Sequence, residues 1–67
     1  MDLKGLGNAI KVRRKSRKIV QRDLAEIAGI SDRTLRDIEN GAANPELATL
    51  LKLCSALGLE IKVDVIK

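Results

Sequence analysis

The sequence predicts an all-α fold, a bundle of four to five helices followed by one β-strand near the C-terminus. Over most of the 67 residues, apolar positions recur every three or four residues, which is the spacing of one helix face. The last segment, LEIKVDV, instead alternates apolar and polar residues as a half-buried strand does. We therefore expect residues 1–58 to form a helical domain and residues 59–67 to provide the strand.

The first helix is predicted over residues 3 to 17. Asp2 is a candidate N-cap, because its carboxylate can accept hydrogen bonds from the free N–H groups of a first helical turn. Gly5 and Gly7 lie inside this helix, and an interior glycine costs about 0.8–1.0 kcal/mol relative to alanine. We therefore expect the first turns to be frayed.

Two short helices joined by a tight turn are predicted in QRDLAEIAGISDRTLRDIENG, residues 21–41. The earlier helix, at about 21–28, ends at Gly29, which readily takes the left-handed backbone conformation that terminates helices. Ser31 is the predicted N-cap of the next helix, at about 32–39, which ends at an Asn-Gly pair. This arrangement is a helical hairpin with a very short connection.

A fourth helix is predicted in AANPELATLLKLCSALG. Asn44 is its candidate N-cap, Pro45 occupies the first helical position, and Gly58 closes it. The predicted apolar stripe contains Leu47, Leu50, Leu51, Cys54 and Leu57. Because the lone cysteine lies in this stripe, we expect a buried, reduced thiol and a reducing, cytoplasmic environment.

The predicted strand needs a partner, because a lone strand leaves its N–H and C=O groups unpaired. We expect it to pair antiparallel with a second copy about a two-fold axis, through Leu59, Ile61, Lys62, Val63, Asp64 and Val65. A register centred on Val63 places Lys62 opposite Asp64, and one centred on Ile61 places Lys62 opposite Glu60. The alternative is a floppy C-terminus, or a strand folded back on its own helices.

Charge is concentrated in KVRRKSRK, residues 11–18, where six of eight residues are cationic. The whole chain has 13 Lys and Arg against 9 Asp and Glu, a net charge of +4, which suits a polyanionic partner. A solvated helix end, where cations are favoured by the helix dipole, is an equally good explanation of the cluster.

The composition argues against several classes of function. The chain has no aromatic residue, so it lacks the stacking platforms typical of single-stranded DNA and RNA binders. It has no histidine, no glycine-rich phosphate loop and no cluster of metal ligands, so we expect neither an enzyme nor a cofactor. No signal peptide or apolar run of membrane-spanning length is evident, and we expect a soluble cytoplasmic protein.

The chain resembles the Xre/Cro/CI family of helix-turn-helix repressors, from LGNAIKVRRKSRK through QRDLAEIAGIS and the ENG turn to NPELATLLKLCSALG. Its ending, GLEIKVDVIK, is most similar to HipB-like regulators, small antitoxins that pair a terminal strand across a dimer. The resemblance implies a homodimeric repressor of an inverted-repeat operator in double-stranded DNA. A chain of 67 residues has little interior, so we expect no pocket for a small-molecule ligand. It also implies a HipA-type kinase toxin as a possible partner, and the alternative is an adaptor that binds such a partner with DNA binding secondary.

The resemblance also assigns roles to individual positions. It implies base contacts by Asp32, Arg33, Thr34 and Asp37, and phosphate contacts by Gln21, Arg36, Asn44, Arg14 and Lys18. Gln21 further matches a glutamine that braces the start of the recognition helix. Arg14 and Glu39 match a partly buried ion pair that ties the first helix to the end of the third.

Two acidic residues stand among the implied base contacts. A carboxylate is repelled by phosphates but can accept a hydrogen bond from the N4 amino group of cytosine, so Asp32 and Asp37 are candidate discriminators of base sequence. The alternative is helix chemistry, because Asp32 favours the positive helix N-terminus and is spaced for a pair with Arg36. Asp37 is likewise spaced to orient Arg33 toward a guanine.

Two positions depart from the family pattern. Lys18 stands where a glycine commonly ends the first helix, and Val20 stands where a serine or threonine usually caps the second. Valine has no side-chain acceptor for the free N–H groups of a helix start. We therefore expect a looser junction at residues 17 to 21.

Overall fold

The computed structural model describes residues 2–64 and residue 66, and this part of the chain contains four α-helices. They are α1 (Leu3–Ser16), α2 (Gln21–Ala28), α3 (Asp32–Glu39) and α4 (Leu47–Leu57). The predicted all-α bundle is confirmed, and the described part has four of the four to five helices predicted. None of the helices in the described part is long and apolar enough to span a membrane.

The helix ends predicted from Asp2, Gly29 and Ser31 are confirmed. The Asp2 carboxylate accepts a hydrogen bond from the Gly5 N–H at 2.7 Å, and the Ser31 hydroxyl accepts one from the Thr34 N–H at 3.1 Å. Gly29 ends α2 in the left-handed conformation, with φ of +70°. These residues fix the start of α1, the start of α3 and the end of α2.

The predicted start of α4 is wrong by two residues. Glu46 has extended backbone angles and is the N-cap, without a side-chain cap hydrogen bond, and the helix begins at Leu47. Asn44 and Pro45 lie before it, in the connection from α3. Proline fixes only its own φ and the conformation of the residue before it, so Pro45 is equally compatible with an extended connection.

The core lies where all four helices meet. It comprises Ile10, Leu24, Ala25, Ala28, Leu35, Ile38, Leu53 and Leu57, with α1 and α2 each packed against both α3 and α4. The predicted stripe of α4 is partly wrong, because Leu53 is fully buried whereas Leu47 and Leu51 are 65% and 50% exposed. This helix is apolar on most of its surface, so periodicity alone does not identify the buried side.

Gly7 brings α1 and α3 into direct backbone contact. A Cβ atom at this position would lie 2.1 Å from the Ile38 carbonyl oxygen and 2.7 Å from that of Glu39. A side chain therefore does not fit here, and the glycine sets how closely the two helices approach. The prediction treated Gly7 only as a weak point of the helix, because the sequence does not reveal which element crosses it.

The chain after α4 has no regular secondary structure at residues 59–64 and 66. The Leu59 N–H donates to the Cys54 carbonyl at 2.8 Å, and Leu59 packs against the core, whereas Val63 is 97% exposed. The predicted strand is thus not formed in the single chain, where a β-ladder has no second strand to pair with. Val65, assigned to the same strand, lies outside the described residues.

Candidate nucleic-acid interface

A tight turn fixes α3 relative to α2. Only Gly29, Ile30 and Ser31 separate the two helices, and the Ile30 N–H donates to the Ala25 carbonyl at 3.0 Å across the end of α2. Ala25 is completely buried, as expected for a small residue at a helix crossing. The hairpin therefore holds α3 in one orientation on the surface.

One side of α3 is anchored in the protein and the other faces outward. Leu35, Ile38 and Glu39 are buried. The residues predicted to contact bases or phosphates lie on the other side: Asp32, Arg33, Thr34 and Arg36 are exposed and Asp37 is half-buried. Residues one turn apart share a helix face, so the structure collects these side chains on one outward surface.

The charged groups of this outward surface have no partners within the described protein. Neither the Asp32–Arg36 pair nor the Arg33–Asp37 pair is formed, and no side-chain hydrogen bond involves these four residues. Thr34 differs, because its Oγ1 accepts a hydrogen bond from the Ser31 hydroxyl at 2.9 Å as part of the helix cap. Four charged groups on α3 are thus available to a ligand.

Gln21, the first residue of α2, is attached to the end of α3. Its Nε2 donates to Glu39 Oε1 at 2.9 Å. The predicted bracing of the start of the recognition helix is therefore wrong, because Gln21 bonds to Glu39, the last residue of α3. Val20 provides no side-chain cap, so the first N–H groups of α2 lack a side-chain acceptor.

Arg14 and Glu39 form the predicted ion pair. Arg14 Nε donates to Glu39 Oε2 at 2.7 Å, and Arg14 Nη2 donates to Glu39 Oε1 at 3.1 Å. Arg14 Nη1 donates to the Ile19 carbonyl at 2.8 Å, and only 7% of the residue is exposed. The phosphate contact also predicted for Arg14 conflicts with this burial, so we assign Arg14 a structural role.

Arg13 of α1 and Arg17, the C-cap residue of α1, bind the end of α4. Arg13 Nε donates to the Leu57 carbonyl at 2.8 Å, and Arg17 Nη1 donates to the same oxygen at 3.4 Å. The last turn of α4 contains no basic residue of its own. The cations that interact with its C-terminal end are therefore Arg13 and Arg17, which both donate to the Leu57 carbonyl. Sequence reasoning missed this contact, because its only signal is the absence of a cation at the end of α4.

Hydrogen bonds between Arg14 and Ile19 hold the junction between α1 and α2, although the sequence there lacks the glycine and the capping residue of the family pattern. Lys18 adopts a left-handed backbone with φ of +56°, the conformation for which the family pattern prefers glycine. The Ile19 N–H donates to the Arg14 carbonyl at 3.1 Å, while the Arg14 side chain bonds back to the Ile19 carbonyl. These bonds close the junction that the sequence predicts to be loose.

The remaining predicted positions lie at the surface or in the core. Asn44, in the α3–α4 connection, and Lys18 are both exposed. Cys54 is a free, buried thiol, and burial raises its pKa because the charged thiolate is poorly solvated there. Among the described residues, no group of side chains could hold a metal ion.

Related proteins include two phage regulators. Residues 10–63 match the helix-turn-helix family HTH_3. The chain is 43% identical over 60 residues to the immunity repressor protein of Bacillus phage phi105, covering 90% of this chain and 42% of that protein. It is 36% identical over 63 residues to the ImmF control region 10 kDa protein of the same phage, covering 94% and 70%. The chain thus spans less than half the length of the immunity repressor.

Solved structures with the same fold include a controller protein and a chain of a HipA-HipB complex. The restriction-modification controller protein C.AhdI from Aeromonas hydrophila superposes with a TM-score of 0.81 at 29% identity, covering 87% of this chain and 88% of that one. A chain of the HipA-HipB-O2-O3 complex gives a TM-score of 0.82 at 30% identity, covering 100% and 94%. Together with the matched family, these likenesses show that the chain belongs to the Xre-type helix-turn-helix family of DNA-binding repressors and regulators.

Proposed function

We propose that the protein is a sequence-specific repressor that places α3 in the major groove of double-stranded DNA. The observation that carries the proposal is the outward face of α3, whose charged groups have no protein partner among the described residues. Its opposite face is buried against the core. A helix held rigidly on one side, with unpaired polar groups on the other, has the form of a recognition helix.

Base discrimination comes from the exposed end of α3. Arg33 donates two hydrogen bonds to a guanine, and Asp32 accepts one from the N4 amino group of a cytosine. Asp37, one turn after Arg33, is positioned to orient the guanidinium when DNA is bound. Thr34 adds a weaker contact through its hydroxyl or methyl group.

Phosphate contacts surround this surface. Gln21 and the uncapped N–H groups at the start of α2 grip one phosphate, because a helix N-terminus attracts anions. Arg36, Asn44 and Lys18, all exposed, contact the flanking backbone. The half-buried Lys11 and exposed Lys15 add to the counterion release that makes binding weaken with salt.

The DNA-binding form is a homodimer joined by residues 59–67, with residues 1–58 as the DNA-binding domain. The exposure of Val63 and the partial exposure of Ile61, at 40%, support pairing with a second copy, because these apolar side chains stay in water in the single chain. A two-fold dimer reads two inverted half-sites about one helical turn, roughly 34 Å, apart.

The biological role is control of an operon that contains the protein's own gene, either as a phage-type immunity regulator or as an antitoxin. The phage relatives support the first role. The likeness to a chain of a HipA-HipB-operator complex supports the second, in which a HipA-type kinase is the partner. Co-expression with the product of the adjacent gene tests the antitoxin role. A stable complex that still forms with a variant unable to bind DNA would mean that the partner binds a separate surface.

The experiment that tests the proposal is selection of binding sites from a random duplex library, near physiological salt. We expect enrichment of two inverted half-sites about one turn apart. The Asp37→Ala variant should relax the base preference at one position of each half-site, and Arg33→Ala should remove the guanine preference at the position it contacts and weaken binding. If no sequence is enriched by the wild-type protein, the helix-turn-helix is an adaptor surface and the repressor proposal is wrong.

A further inference from the structure

We infer that Glu39 is a positioning residue for DNA binding, because its carboxylate sets the direction of the Gln21 side-chain amide. The inference rests on the proposed function, since it assigns a purpose to the contact only if Gln21 touches a phosphate. Glu39 itself lies at the buried end of α3, and its side chain is 1% exposed. It therefore acts through Gln21 rather than by touching DNA.

One carboxylate oxygen joins three helices. Glu39 Oε1, on α3, accepts hydrogen bonds from Gln21 Nε2 on α2 at 2.9 Å and from Arg14 Nη2 on α1 at 3.1 Å. Glu39 Oε2 accepts from Arg14 Nε at 2.7 Å. The N-terminus of α2, where a phosphate is proposed to bind, is thereby tied to the C-terminus of the recognition helix.

The chemistry of the acceptor decides which way the amide points. An ionised carboxylate only accepts hydrogen bonds, so the amide must present its NH₂ group, not its oxygen, to Glu39. The NH₂ group of Gln21 has a second hydrogen, and no other hydrogen bond of this side chain occurs within the described residues. That hydrogen is held in place for an acceptor outside the protein, and a phosphate oxygen is one.

Arg14 makes this arrangement compatible with a polyanion. An unpaired carboxylate near the start of α2 would repel phosphate, but the bidentate Arg14 guanidinium neutralises Glu39. Burial keeps the pair away from the screening effect of salt. Gln21 is thus oriented by a charged acceptor without a net negative charge beside the bound phosphate.

Matched double variants test the inference without leaving a buried charge unpaired. Arg14→Met with Glu39→Leu removes both the ion pair and the acceptor for Gln21. Arg14→Met with Glu39→Gln removes the ion pair but restores a side-chain oxygen that can accept from Gln21. Replacing a buried ion pair by neutral residues is often tolerated, so both variants should fold, and urea unfolding checks this.

The readout is the dissociation constant for the selected operator duplex, measured on protein shown to be folded. We expect the double variant that contains Glu39→Leu to bind about tenfold more weakly than wild type. The double variant that contains Glu39→Gln should recover at least half of that loss on a logarithmic scale. In a Gln21→Ala background the two double variants should bind equally.

Three outcomes overturn the inference. If both double variants lose the same affinity, the ion pair matters only for the fold, and if neither loses affinity, the direction of the amide is irrelevant. A difference between them that persists in the Gln21→Ala background also contradicts it, because the effect then bypasses Gln21. Failure of the proposed function is distinct, since the wild-type protein would then select no operator at all.

Discussion

The arginines of α1, counted here with its C-cap residue Arg17, and those of α3 have opposite surroundings. Arg13, Arg14 and Arg17 each donate to an oxygen atom of the protein, on Leu57, Glu39 or the Ile19 carbonyl. Arg33 and Arg36 are exposed and donate to no acceptor in the described chain. The α1 arginines stabilise the fold, and the α3 arginines remain available to a ligand.

This difference shows that a cluster of positive charge in a sequence does not by itself locate a nucleic-acid site. Residues 11–18 are the most cationic part of the chain, yet the three arginines among the six cations are used inside the protein. The cations of α3, Arg33 and Arg36, donate to no hydrogen-bond acceptor in the described part of the protein. We propose α3 as the DNA-binding surface because its charges are available to a ligand, not because positive charge is dense along that part of the chain.

The largest expected loss of stability is at Arg14, and it tests the difference between the arginines of α1 and those of α3. Arg14→Met leaves the Glu39 carboxylate buried without its counter-ion, and loss of one member of a buried pair typically costs about 3–5 kcal/mol. Urea denaturation measures this loss. Arg33→Met, the matched change on α3, should alter the free energy of unfolding by less than about 0.5 kcal/mol. Similar losses for both variants would remove the distinction between the two helices.

A second prediction concerns the contact that places α1 against α3. Gly7→Ala puts a methyl group 2.1 Å from a backbone oxygen of α3, so the helices must separate, and overpacking of this kind costs about 3 kcal/mol. Gly5→Ala is the control, because its added carbon meets only the Asp2 carboxylate, at 3.1 Å. Thermal unfolding should show a large loss for the first variant and a change within about 1 kcal/mol for the second. Equal stabilities would mean that the helix crossing is not constrained at Gly7.

The smallest of these predictions concerns two lysines of the basic segment. Lys18→Gly should stabilise the protein by about 1 kcal/mol, because glycine adopts the left-handed backbone without the steric cost borne by lysine. Lys15→Gly removes the same charge from inside α1 and should destabilise by about 1 kcal/mol. Chemical denaturation measures whether each variant gains or loses stability. Destabilisation by Lys18→Gly would contradict the left-handed backbone conformation of Lys18.

Much of the fold could be predicted because local residues determine it. Ser31 and Gly29 specify their helix ends through a side-chain oxygen and a left-handed backbone, and both boundaries are as predicted. The predicted start of α4 is wrong because Asn44 and Pro45 are equally compatible with an extended connection, and the actual N-cap, Glu46, forms no side-chain cap hydrogen bond. The predicted strand is absent from residues 59–64 and 66, and its proposed pairing involves a second chain that a single chain does not contain.

The candidate site was predictable in position, and the family resemblance implied its Arg14–Glu39 ion pair, but its other internal contacts were not predictable. The outward positions of α3 follow from helical periodicity once its core residues are identified. The hydrogen bond from Gln21 to Glu39 and that from Arg13 to Leu57 join residues 18 and 44 positions apart. Neither contact has a periodic or capping signal, because each depends on how the helices pack in three dimensions.

The most direct test of the difference between the two sets of arginines measures two quantities on the same two variants, Arg33→Ala and Arg13→Ala. These quantities are the affinity for the selected operator and the free energy of unfolding. We expect Arg33→Ala to weaken binding about ten- to hundredfold with stability unchanged within about 0.5 kcal/mol. Arg13→Ala should lower stability by about 1 kcal/mol and weaken binding less than about threefold. Equal losses of affinity in the two variants would contradict the assignment of DNA binding to α3 and of structural support to α1.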